Sequence, residues 1–108
     1  MRNSSEQRAL RHYRLRGYRI LGTNIWTGGY ELDLVVRRGR ALAFVEVKSK
    51  SGDRVGDPLE MVGPEKQRRL RQAAESWLAA HPEAAALEAR FDVVAVRGSR
   101  LECLKQAF

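Results

Sequence analysis

Glu31-Leu32-Asp33-Leu34-Val35-Val36, Arg37-Arg38-Gly39-Arg40 and Ala41-Leu42-Ala43-Phe44-Val45-Glu46-Val47-Lys48 read as two apolar strands joined by a tight basic turn. Three carboxylates and a lysine sit inside segments that otherwise favour burial. A buried carboxylate costs several kcal/mol unless a cation meets it. The pattern therefore points to a site that gathers a metal ion. Side chains alternate along a strand, so Glu31, Asp33 and Val35 share one face of the first strand, and Leu42, Phe44, Glu46 and Lys48 share one face of the second. A two-residue turn at Arg38-Gly39 pairs Arg37 with Arg40. It sets Asp33 opposite Phe44 and Glu31 opposite Glu46, all on one side. Asp33 and Glu46 are then diagonal neighbours, roughly 7–8 Å apart. A loop one residue longer, without a bulge, turns Asp33 to the wrong face.

Asp33 followed by Glu46-Val47-Lys48 resembles the PD-(D/E)xK nucleases. The neighbouring stretches extend the likeness: Gly17-Tyr18-Arg19-Ile20-Leu21, Asn24, Glu31-Leu32-Asp33-Leu34, Phe44 through Lys48, Lys66 through Leu70, and Arg90 through Val94. In this order they resemble the YraN family of bacterial proteins, itself similar to archaeal Holliday-junction resolvases. Two features depart from the family pattern: Tyr30 stands where a glycine is usual, and Arg2-Asn3-Ser4-Ser5 replaces the glycines before the first-helix glutamate. The resemblance implies a single restriction-endonuclease-like domain over residues 1–108. Its expected core is αβββαβ, a mixed central sheet flanked by two helices.

It also implies a Mg²⁺- or Mn²⁺-dependent endonuclease hydrolysing nucleic-acid phosphodiesters. Asp33, Glu46 and the Val47 carbonyl would hold the ion. Lys48 would orient the attacking water or neutralise charge at phosphorus. Glu31 and Glu6 would complete the shell. Branched DNA, a homodimer and a role in repair or recombination follow from the same likeness, with DNA favoured over RNA. A catalytically idle nucleic-acid binder that keeps the fold is the alternative, and a basic scaffold for a protein partner a third reading.

Composition bounds these readings. At 108 residues the chain suits one domain with a single core. With 44% hydrophobic and 31% charged residues it is a globular rather than a disordered chain. No apolar run approaches the ~20 residues a membrane helix needs. No signal core follows the first residues, and the lone Cys103 suits a reducing compartment, so a cytoplasmic location without membrane is expected. A net charge of +7 favours polyanions as partners. Buried acids in so basic a chain fit a metal-assisted phosphodiesterase better than a passive binder. His12, His81 and Cys103 lack zinc spacing.

Helical periodicity places a first helix over residues 4 to 17, with Gly17 as its stop. Glu6 falls on its core-facing stripe, where it serves either the helix dipole or the site. Arg11 lies on the basic remainder. Tyr18 to Trp26 reads as a strand bent near Gly22, with Trp26 more a packing residue than a base-stacking one. Thr27-Gly28-Gly29 is a turn. Residues 49 to 63 form the longest loop, placing Lys50 and Arg54 to meet phosphates. Pro64 opens a second helix running to about Ala80. Its stripe is Leu70, Ala73, Ala74, Trp77 and Leu78, with Trp77 as core anchor. Lys66 and Arg69 are candidates for gripping phosphates. Phe91 to Val96 reads as a buried strand, parallel to the Glu46 strand through a right-handed crossover. Leu101 to Leu104 is an edge strand. Asp92 orients local backbone and is not read as a ligand.

Overall fold

The structure is a computed structural model that describes residues 4–49 and 62–108. The chain runs α1 (Ser4–Leu15), β1 (Arg19–Thr27), β2 (Tyr30–Arg38), β3 (Ala41–Ser49), α2 (Pro64–Ala80), a 3₁₀ turn (Pro82–Ala84), β4 (Glu88–Arg97) and β5 (Arg100–Leu104). The five strands form one sheet in sequential order. All neighbours are antiparallel except β3 and β4, which run parallel. That exception follows from α2, since a parallel step needs a long crossover.

Each helix covers one face. Beneath α2 lie Val35, Leu42, Phe44 and Val93, packed on Leu70, Ala73, Ala74 and Trp77. Beneath α1 lie Leu34, Val36, Ala43, Val45, Val94 and Val96, packed on Ala9, Leu10 and Tyr13. Both faces are apolar because both are covered. Trp77 is buried, edge-on to Phe44 and stacked on His81. Gly17 ends α1 as expected: its amide bonds Arg14 O and the Tyr18 amide bonds Tyr13 O, a Schellman closure. Pairing between β1 and β2 slips between Ile20 and Gly22, where the sequence shows its bend.

α1 is also held by a polar clamp. The Asp92 carboxylate is fully buried under it. It accepts from Tyr13 Oη at 2.7 Å, from Arg90 Nε at 2.8 Å and from the Gln106 amide at 3.0 Å. Burial, then the Asp92 charge, pushes the Tyr13 phenol far above its usual range. Asp92 thus does more than orient local backbone, because it joins α1, β4 and the terminal segment.

The central hairpin differs in detail from its expected register. The turn is Gly39-Arg40, with Arg38 opposite Ala41 and Val35 opposite Phe44. Gly39 takes φ +60°, the first-position glycine of a type II′ turn, whose twist suits a two-residue hairpin. Relative to the expected register β3 is slid by two residues, so from Leu34 to Arg38 the faces are kept while the partners change. The ladder ends at Leu34–Val45, so neither Asp33 nor Glu31 pairs with a residue of β3; continued past that point, the shifted register would set Asp33 level with Glu46 rather than diagonal to it. Among the described residues, no helix is long and apolar enough to cross a membrane.

Candidate metal centre

The site forms where two ladders fail together. Pairing of β2 with β3 ends at Leu34–Val45. Pairing of β1 with β2 steps from Thr23–Leu34 to Ile25–Leu32 without an Asn24–Asp33 pair, and Asn24 has φ +50°. The alternation of faces changes there. Leu34 packs under α1, yet Leu32 packs under α2. Asp33 sits at that change and bridges the gap, its Oδ2 accepting the Val47 amide at 2.8 Å. Asn and Asp tolerate a left-handed backbone better than most residues, which suits Asn24 to the kink.

Around Asp33 the carboxylates converge from two sides. Glu46, only 5% exposed, faces α2, and its Oε2 lies 3.2 Å from Lys66 Nζ. That oxygen is buried without hydrogen-bond geometry to any partner among the described residues. On the other side, oxygens of Glu6, Glu31 and Asp33 lie within 4.8 Å of one another. Asn24 Nδ2 ties the first two together, donating to Glu6 at 2.9 Å and Glu31 at 3.3 Å. Burial, then the hydrogen bond and charge of Glu46, pushes the Asp33 carboxyl up to about 7, against the pull of the Val47 amide and Lys66. A cation would relieve this crowding of acids.

Hard oxygen donors fit Mg²⁺, Mn²⁺ or Ca²⁺. A span of 4.8 Å is about two metal–oxygen bonds of 2.3–2.6 Å end to end. Mg²⁺, at ~2.0–2.1 Å, needs these side chains a few tenths of an ångström closer, or a bridging water. The donor set and the orphaned Glu46 oxygen are therefore compatible with such an ion.

Asp33, Glu46, Glu31 and Glu6 are brought together, though not on one face: Glu31 joins Glu6 on the α1 side while Glu46 meets α2. Lys48 is half-buried and shares Glu46's face by strand alternation. Lys66, expected to hold phosphate, instead has its ammonium on Glu46. Val47 meets Asp33 through its amide; the expected role was for its carbonyl. Arg69 is engaged by Glu65 at 3.3 Å and lies over the Tyr30 ring. Arg11 is exposed on α1. Lys50 and Arg54 lie outside the described residues. Asn24 is the site residue that composition and spacing missed. Its signal was its place in the family pattern, without which an asparagine in a strand reads only as a weak strand former. Trp26 overturns its packing assignment, being 72% exposed.

A five-stranded mixed sheet flanked by two helices, with carboxylates gathered at the break between its second and third strands, defines an α/β protein with the αβββαβ core. Residues 5–96 match the model of the Uncharacterised protein family UPF0102, and the chain belongs to that family. Among similar relatives is a UPF0102 protein of Shewanella amazonensis, 39% identical over 96% of this chain and 94% of its own length. One of Bradyrhizobium diazoefficiens is 43% identical over 86% of this chain and 68% of its own. One of Parvibaculum lavamentivorans is 49% identical over 77% and 61%.

Proposed function

We propose that this protein is a divalent-metal-dependent nuclease that hydrolyses nucleic-acid phosphodiesters and recognises shape rather than sequence, with branched DNA favoured. The observation that carries the reading is the meeting of Asp33 and Glu46 at the ladder break, backed by Glu6 and Glu31, in a chain of net charge +7. Asp33 and Glu46 would hold Mg²⁺ or Mn²⁺, with the Val47 carbonyl as a further donor. When bound, such an ion polarises a phosphoryl oxygen and acidifies a water. Lys48 would orient the attacking water or meet the charge that builds at phosphorus. Asn24 fixes Glu6 and Glu31. Arginines of both helices position the backbone without reading bases.

A panel of junctions, flaps, duplexes, single strands and RNA with Mn²⁺ tests this. Cleavage is expected, lost in Asp33→Ala and Lys48→Ala while binding persists. One observation favours the second reading, an idle nucleic-acid binder: Lys66 already supplies Glu46 with a cation. That reading expects salt-sensitive binding and no cleavage with any metal.

A further inference from the structure

Every aromatic ring described in this chain has a ring or guanidinium partner except one. Tyr18 lies under Arg38 and Arg90, Tyr30 under Arg69, and Phe91 and Phe108 under Arg71. Tyr13, Phe44 and Trp77 have ring neighbours. Trp26 has neither among the described residues, and it is the most exposed of the aromatic side chains. Burial of so large a surface is the usual reward for a tryptophan, and here the fold forgoes it.

The backbone that carries it is nonetheless held in place. Trp26 pairs directly with Glu31 across β1 and β2. Side chains so paired share a face, with Cβ atoms about 4.5–5.5 Å apart. The indole therefore stands one side chain away from the Glu6–Glu31–Asp33 cluster. The hairpin that carries it is pinned to α2: Thr27 Oγ1 donates to Ser76 Oγ at 2.7 Å, and Gln72 Nε2 to Gly28 O at 2.8 Å. An exposed indole without a ring or guanidinium partner among the described residues, on a pinned hairpin beside a carboxylate cluster and in a chain whose charge attracts polyanions, is suited to stacking on a base. A base inside a continuous duplex has no free face to offer.

We propose that Trp26 is a stacking platform for an unpaired nucleobase beside the cut, so that the substrates of this site are nucleic acids with unstacked bases there. The proposal rests on the nuclease reading for the identity of the site. Stacking itself is read by binding, and cleavage by a separate assay.

The experiment uses the full chain with Trp26→Ala and Trp26→Phe, a DNA duplex bearing a single-stranded flap, and the same duplex without it. Affinity is measured by anisotropy with Ca²⁺, and cleavage with Mn²⁺. Trp26→Ala should weaken flap binding by about fivefold to a hundredfold, leave the intact duplex within about twofold, and be largely rescued by Phe. Flap binding should also quench the exposed tryptophan in the parent protein. This pattern supports stacking even if no cleavage is seen, in which case the nuclease reading alone fails. Equal loss on both ligands, or no loss, overturns stacking, and cleavage that survives it leaves the nuclease reading standing. If Trp26→Ala splits a dimer and spares flap binding, Trp26 is an interface between copies and the proposal is overturned. A parent protein that binds neither DNA overturns both readings.

Discussion

Asp33 and Lys66 act on the same charge from opposite directions. Asp33 ionises near 3.8 when unfolded and is pushed up to about 7 in the fold, by burial and by Glu46. The folded state therefore holds a proton that the unfolded chain has released. The stability this gives is present in full below pH 3.8 and is lost as pH rises toward 7. Urea unfolding across that range should show a loss on the order of 1–3 kcal/mol, absent in Asp33→Asn. Mn²⁺ should reverse the slope, because it binds the ionised Asp33 carboxylate: its affinity should rise about tenfold per pH unit until Asp33 is deprotonated. Lys66→Met leaves Glu46 buried and uncompensated. With the lysine partly exposed, a loss of about 1–3 kcal/mol is expected. Added Mn²⁺ should restore more melting temperature in this variant than in the parent. No restoration would mean that Glu46 does not face the ion.

The elements place these residues through a few specific contacts. Gly28 has φ +61°, and a Cβ there would stand 2.9 Å from Ser76 Cβ and 3.1 Å from Gln72 O. Gly29 has φ +85° with nothing near. Gly28→Ala should therefore cost more than Gly29→Ala, about 2–3 against about 1 kcal/mol by chemical denaturation. It should also weaken flap binding by shifting the hairpin that carries Trp26. Trp77→Ala should cost about 3–5 kcal/mol as a buried anchor of α2.

Much of this architecture is legible in the chain. Pro64 marks the start of α2, Gly17 closes α1, and the apolar runs from 31 to 48 are central strands. What escapes periodicity is where its rule is broken. The Asn24 kink lets Glu31 and Glu46 lie on different sides of the sheet while Asp33 serves both. The turn falls one position later than the basic run suggests because Gly39 takes the first turn position, not the second. Lys66 is distant in sequence from Glu46 and meets it only through the crossover. Trp26 reads as packing by residue type alone, because large aromatic side chains are usually buried, and its exposure is set by its place near the end of β1.

For the molecule as a whole, binding should be governed by charge. If four phosphates are neutralised, affinity for any DNA should fall about a hundredfold between 50 and 200 mM salt. The slope should shrink when α1 arginines such as Arg11 are replaced, with little change in preference among sequences. The two-residue turn at the end of the central hairpin also limits how this family's chains can drift in length. One residue inserted beside Gly39 would roll the far half of β3 over, carrying Glu46 and Lys48 beneath α1 and stranding Lys66. Two inserted residues would only slide them along β2 and keep them facing α2. Relatives that preserve the acidic notch should therefore differ at this bend by even counts. A homologue with an odd count there should have surrendered its acids or acquired a compensating bulge.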